Sequence, residues 1–228
     1  MSKFSSKNKT IIEIILLISF GIILYLFWNS WFIYPIKLFT VLVHEICHGI
    51  AAVLSGGSIS SIEISKLLGG ECRTYGGNVF IVASSGYLGS LITGFILFIS
   101  SYNIKRSIIV CTIISIIIFL FTISFIKGRF GIIFSLISAV ILYSSPRYFH
   151  SILHYYFIRF IGFASVFYVL IDIKEDILTN EVRITDAHIL AQYSGISHLA
   201  WGFIWIAVCL ILIFLLLKFS IKKGATLK

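Results

Sequence analysis

Apolar and polar positions separate into long blocks along this chain. Nearly uncharged apolar stretches occupy about 11–28, 32–55, 79–100, 107–126, 130–145, 148–171 and 199–217. A helix needs roughly 20 apolar residues to cross the hydrocarbon core of a bilayer. The pattern therefore predicts an all-α polytopic membrane protein with about six or seven transmembrane helices. Pro35 falls in the first turn of the second span, where proline is tolerated, and Gly56-Gly57 ends it. Trp28 and Trp31 suit an interfacial belt. The stretch near 130–145 is short, and needs thin bilayer or cover from its neighbours.

One polar interval has a different period. From Ser58 the chain reads Ser-Ile-Ser-Ser-Ile-Glu-Ile-Ser, an alternation that predicts a strand. Gly69-Gly70 and Gly76-Gly77 add turn signals. A small surface β-hairpin after the second helix follows. In the third span, Ser84-Ser85-Gly86, Gly89 and Gly94 form a small-residue face for close helix packing. The chain reads as a single membrane domain over 1–228, without internal repeats. Its parts are a polar tail over 1–10, core helices and strand over 32–100, a helix over 148–180, and a basic tail over 218–228.

Composition agrees with this reading. Hydrophobic residues make up 59% and charged residues 12%, against about 45–50% and 25% in soluble domains. The net charge of +9 does not point to nucleic acid, because the basic residues sit in tails and short loops, where they set topology. The partner implied is the lipid bilayer. Cys47, Cys72, Cys111 and Cys209 form no CxxC pair and no disulfide framework. The first apolar stretch is followed by Trp28-Asn29-Ser30-Trp31 rather than a small-residue cleavage site, so it reads as a retained span. If every span reverses the chain, nine Lys/Arg fall on the side of the N-terminal tail and seven on the other, a weak orientation bias.

The chemistry concentrates in the second span. His44, Glu45 and His48 spell HExxH. On a helix the two histidines share a face about 5–6 Å apart at Cβ, able to grip one Zn²⁺ with the glutamate beside its open position. With six His and six Glu in the chain, chance produces this motif roughly 0.004 times. A structural histidine pair is the other explanation, and ionisable residues inside a membrane argue against it.

A catalytic zinc site takes a third protein ligand. Counting spans brings the acidic cluster Asp172, Glu175 and Asp176 to the side where the HExxH helix exits. Asp172 then lies about 9 Å inside its helix end and His48 about 12 Å inside its own. Asp172 is the first choice, Asp176 the second, and Asp186 the third, because Asp186 needs its loop to fold back toward the membrane. His150 and His154 also have i, i+4 spacing, lie at the opposite face, and read as interfacial. Arg159 lies well inside the sixth span, and the sequence names no partner for it.

Phe39 to Ala52 resembles the first core helix of the site-2 protease superfamily of intramembrane zinc metalloproteases. Leu54-Ser55-Gly56-Gly57 followed by Ile62-Glu63-Ile64 is similar to that helix's exit into a short strand. Ala83-Ser84-Ser85-Gly86-Tyr87-Leu88-Gly89-Ser90 sits where the superfamily carries a small-Gly-Pro-x-x-Asn motif, with Tyr87 for the proline and Ser90 for the asparagine. The usual Asn-x-x-Pro-x-x-x-Leu-Asp-Gly motif is absent. Tyr168-Val-Leu-Ile-Asp172-Ile-Lys-Glu-Asp176, then Thr185-Asp186-Ala187 and Trp201-Gly202-Phe203-Ile204-Trp205, resemble a divergent branch that lacks it. The resemblance implies zinc held by His44, His48 and an aspartate, Glu45 as general base, and a membrane protein with a transmembrane segment as substrate. Two rival functions are a non-catalytic zinc-binding scaffold or chaperone derived from such a protease, and a His/Asp-containing transporter.

Overall fold

A computed structural model describes residues 6–178 and 185–224. The outer parts of both expected tails, residues 179–184 and the side chain of Asp176 lie outside the described residues. Helices α1 (Ser6–Phe27) and α2 (Tyr34–Leu54) lead into strands β1 (Ser58–Ile64) and β2 (Gly70–Tyr75). Helices α3 (Val79–Ser100) and α4 (Ile104–Ser124), strand β3 (Ile126–Lys127) and helices α5 (Arg129–Tyr148), α6 (Ser151–Leu178), α7 (Asp186–Ser194) and α8 (His198–Gly224) follow. Among the described residues, six helices are long and apolar enough to cross a membrane: α2, α3, α4, α5, α6 and α8. The all-α polytopic class holds.

Helix ends follow local chemistry. Asn78 accepts a hydrogen bond from the Ile81 N–H at 3.1 Å, and Asn103 one from the Arg106 N–H at 3.2 Å, so both cap the helices they precede. The helix-to-hairpin link is tied by Ser55, whose Oγ accepts from the Asn78 N–H at 3.0 Å. The expected hairpin forms, with Glu63 opposite Glu71 and a bulge between Ile59 and Ser61. Its alternation has a simple cause: Ile62 and Ile64 are buried and Glu63 is exposed. β3, too short to show a period in the sequence, pairs parallel to β1 and makes a sheet in the order β2-β1-β3.

Two large apolar cores, and a smaller one of Leu24, Ile33 and Ala164, share the bundle. Leu38, Leu42 and Ile46 of α2 pack with Ile62, Ile118 and Ile126 under the sheet. Tyr87 and Leu91 of α3 pack with Val169, Leu190, Trp201 and Trp205 on the other side. Between them α3 and α6 meet backbone to backbone. A Cβ on Gly94 would sit 2.9 Å from the Gly162 carbonyl oxygen, so the small-residue face predicted for the third span is used as expected.

The sheet, the α2–α3 link and the α7–α8 link mark one end of the bundle. The α3–α4 and α5–α6 links mark the far end. At the far end lies a buried polar knot. The Glu13 carboxylate of α1 receives hydrogen bonds from Arg159 of α6, from Tyr102 just after α3, and from Ser220 near the end of α8. The Arg159 guanidinium also donates to the Tyr155 hydroxyl. Arg159 is 0% exposed, and its partner, missing from the sequence reading, is Glu13 on the first helix. His154, expected at the interface, is buried and meets Ser107 Oγ at 2.8 Å, while His150 is exposed.

This knot corrects the span count used for orientation. α1 starts where α8 finishes, so both lie at the far end. α1 then runs along α6, with Phe20 against Phe160 and Trp28 against Phe167 and Tyr168. α2 continues in the same direction. Its Thr40 meets Ser165 of α6, and its His48 meets Val82 near the start of α3. The first two helices thus carry the chain across the bundle once, and the N-terminal helix does not reverse against the second.

Candidate metal centre

His44 and His48 project from α2 into the sheet half of the bundle. Tyr87, whose ring lies 5.1 Å from that of His44, is eight residues into α3, about 12 Å from that helix's start. The backbone carbonyl of Val82 accepts a hydrogen bond from His48 Nδ1–H at 2.7 Å. That bond fixes the tautomer and leaves Nε2 with a bare lone pair facing inward, the usual arrangement behind a metal-binding imidazole.

The carboxylate that meets both imidazoles belongs to Asp186, the first residue of α7. Its Oδ2 lies 3.2 Å from His44 Nε2 and 3.3 Å from His48 Nε2, and the two Nε2 atoms are 2.9 Å apart. Ligand atoms about 2.0–2.1 Å from a tetrahedral zinc lie roughly 3.3 Å from one another, so the triangle has the size such an ion demands. Asp186 Oδ2 is also buried without a hydrogen-bond partner, an expensive arrangement unless something positive occupies the centre. The donor set, two neutral imidazoles and one carboxylate, suits zinc. Burial works to raise the Asp186 carboxyl, but in the metal-free site the charge and hydrogen bonds of His48 and His44, when protonated, outweigh it and hold it below the usual carboxylate range; a bound cation would take the place of those protons. The group is an anion as a ligand must be. Burial pushes the Cys72 thiol up to about 12, and Cys72 is not in the cluster of ligand atoms, which among the described residues is His44, His48 and Asp186.

Glu45 lines the same cavity, of about 320 Å³, with Gly70, Cys72 and Thr74 of β2, Tyr87 of α3, and Tyr168 and Asp172 of α6. Glu45 lies so close to Gly70 that a Cβ there would fall within 3 Å of its carboxylate. A Cβ on Gly86 would likewise strike the His44 and His48 rings. Both glycines are therefore required by the site. The sequence shows Gly86 only as part of a packing face and Gly70 only as a turn signal.

Asp172, first in the ranking by depth, lies in the cavity wall near enough to act electrostatically on His44. It is not in the cluster of ligand atoms within 4.8 Å of one another, which among the described residues is His44, His48 and Asp186. The helix that brings Asp186 inward is short. Thr185 precedes it, its Oγ1 2.9 Å from His188 Nδ1, and Ala187 and Leu190 bury one face. That i, i+3 apolar pair behind a Thr was the available signal for a helix folding back.

An HExxH pair meeting a carboxylate inside a bundle of apolar helices is the arrangement expected of an intramembrane metallopeptidase. A family model described as Peptidase M50B-like matches residues 17–216, and the chain belongs to that family, within the site-2 protease superfamily. No curated protein and no solved structure matches the chain.

Proposed function

We propose that the chain is an intramembrane zinc metalloprotease that hydrolyses peptide bonds in or near membrane-spanning segments of protein substrates. The observation that carries this reading is the meeting of His44, His48 and Asp186 in a cavity that Glu45 also lines. His44, His48 and Asp186 hold the ion, with Asp186 preferred to Asp172 because it alone of the two reaches both imidazoles. When bound, zinc supplies Lewis acidity that polarises a carbonyl and acidifies water. Glu45 acts as general base, taking the water's proton and returning it to the leaving amine. Val82 keeps His48 in its ligating tautomer by accepting the Nδ1 proton.

A transmembrane helix hides its amides, so the substrate must unwind locally before attack. β2 is an edge strand of the sheet and lines the cavity. An extended substrate segment added to that edge would carry its backbone past Glu45.

Two measurements test the proposal. Purified Glu45→Gln should keep about one zinc per chain and lose cleavage of a reporter transmembrane segment by about 10²–10⁴-fold, the usual worth of a general base. Cleavage at the parent rate would remove the protease reading and favour the scaffold. Asp186→Asn should weaken zinc binding by more than about a hundredfold, since even outer partners of metal ligands are worth about 10–100-fold. Asp172→Asn should retain the metal, and the opposite pair of results would restore Asp172 as the ligand.

A further inference from the structure

The two strands of the hairpin use their inner face differently. On β1 that face is Ile59, Ile62 and Ile64, which stand opposite Thr74, Cys72 and Gly70 of β2. Ile62 and Ile64 are buried in the core under the sheet. Thr74, Cys72 and Gly70 border the metal cavity instead, and Leu68 and Gly76 continue their row at its two ends. Of the positions between these five, only Glu71 also borders the cavity. Glu45 fixes where the chemistry falls on the row, because its carboxylate packs against Gly70. The same-face neighbours of Gly70 are Cys72, about 6.8 Å along the strand, and Leu68, two residues back toward the hairpin tip.

Leu68 occupies its place at a backbone cost. Its φ is +64°, and among the described residues it is the only one other than glycine with a positive φ. That region is disfavoured for a bulky side chain and easy for glycine. Such strain persists only where the surroundings over-determine it, and it clusters at functional sites. Three hydrogen bonds over-determine this tip. The Ser65 N–H donates to the Gly69 carbonyl at 2.8 Å, the Leu67 N–H to Ser65 Oγ at 3.1 Å, and the Tyr34 hydroxyl to the Lys66 carbonyl at 2.7 Å. Leu67 is exposed, whereas Leu68 is half-buried against the core and borders the cavity. The tip thus holds a branched apolar side chain at the cavity where the backbone alone would favour glycine.

We infer that Leu68 is a specificity-determining residue, which walls the cavity on the tip side of Glu45 so that the substrate side chain lying there must be small. On the other side of Glu45, Cys72 and Thr74 leave room for a larger one. The inference rests on the edge-strand binding proposed above. An extended segment on the β2 edge sends every second side chain to the cavity face, and the two nearest the cut fall beside Leu68 and Cys72.

The test is a series of reporter transmembrane segments in which each residue of the central stretch is in turn Ala, Leu or Phe. Capture of the series by the Glu45→Gln chain is measured by fluorescence anisotropy in detergent, and cleavage by the parent chain in parallel. At one position Phe should weaken capture about tenfold or more relative to Ala, within the range that pocket size alone provides. Leu68→Gly in the Glu45→Gln chain should remove most of that discrimination at that position and no other. Its fold is safe, since glycine adopts a positive φ without strain. Leu67→Gly, which loosens the same turn at an exposed residue, should leave the discrimination in place. Discrimination unchanged in Leu68→Gly, lost equally in Leu67→Gly, or absent from the start overturns the inference, and so does failure to capture any member. Size-selective capture that Leu68→Gly relaxes, without cleavage by the parent chain, would uphold the role of Leu68 and remove the protease reading.

Discussion

A single added methyl group should separate metal binding from catalysis at this centre. Gly86 lies against both imidazoles and Gly70 against the Glu45 carboxylate, and neither position has room for a Cβ. Gly86→Ala should push the histidines off their triangle and lower zinc content well below one per chain. Gly70→Ala should leave the metal in place and displace the base. Misplacement by about 1 Å can cost on the order of 10²-fold in rate, so turnover should fall by about that much at unchanged zinc content. Metal analysis and reporter cleavage on the same preparations read the two effects apart; full zinc occupancy in Gly86→Ala would show that α3 yields instead. The histidines and the glutamate were legible in the sequence because an i, i+4 pair on a helix needs no tertiary information. Asp186 was legible only as the least favoured of three acids. Depth was counted along continuous helices, and Asp186 reaches the site by a chain reversal that such counting does not contain.

The N-terminal helix is tied to the bundle by charge as well as by apolar contact. Its Glu13 is bonded to Arg159 of α6, Tyr102 of the α3–α4 link and Ser220 of α8 at once. The Arg159 guanidinium also lies over the Tyr102 and Tyr155 rings, 4.5 and 4.7 Å from their centroids. Removing one member of a buried pair leaves an uncompensated charge and typically costs about 3–5 kcal/mol, whereas replacing both by apolar residues is often neutral. Arg159→Leu and Glu13→Leu should each lower the thermal midpoint in detergent, and the double variant should recover most of the loss. If the double variant is as unstable as the two losses added together, the pair is not acting as a unit. The helices themselves were readable from apolar length. Their arrangement was misread at this joint, because each span was assumed to reverse direction. A lone Glu and a lone Arg inside membrane helices are costly apart. Pairing them would have put α1 and the start of α6 at one end and corrected the topology. β3 escaped notice for another reason: two residues are too few to show any period.

At the scale of the whole molecule, the metal centre joins one short element to a bundle that does not depend on it. α2, α3 and α6 are held by apolar packing and by the Gly94–Gly162 approach. α7 has less support. Its two buried residues are Ala187 and Leu190, its far end is fixed by the Trp201 indole N–H donating to Ser194 Oγ at 2.9 Å, and its first residue is Asp186. Chelation of the zinc proposed here should therefore act locally. Without the cation, Asp186 keeps only its contacts with the two imidazoles, at 3.2 and 3.3 Å, and few buried residues hold the start of α7. Amide hydrogen exchange should accelerate over residues 186–194, while amides around Gly94 and Gly162 keep their protection. The thermal midpoint should fall only as far as ligand linkage requires, about 4 kcal/mol if zinc had been present at a thousand times its dissociation constant. Zinc added back should restore both protection and cleavage. Exchange rising equally in α3, α6 and α7 would mean that the ion holds the whole bundle together, and that the separation between the site and its frame is not real.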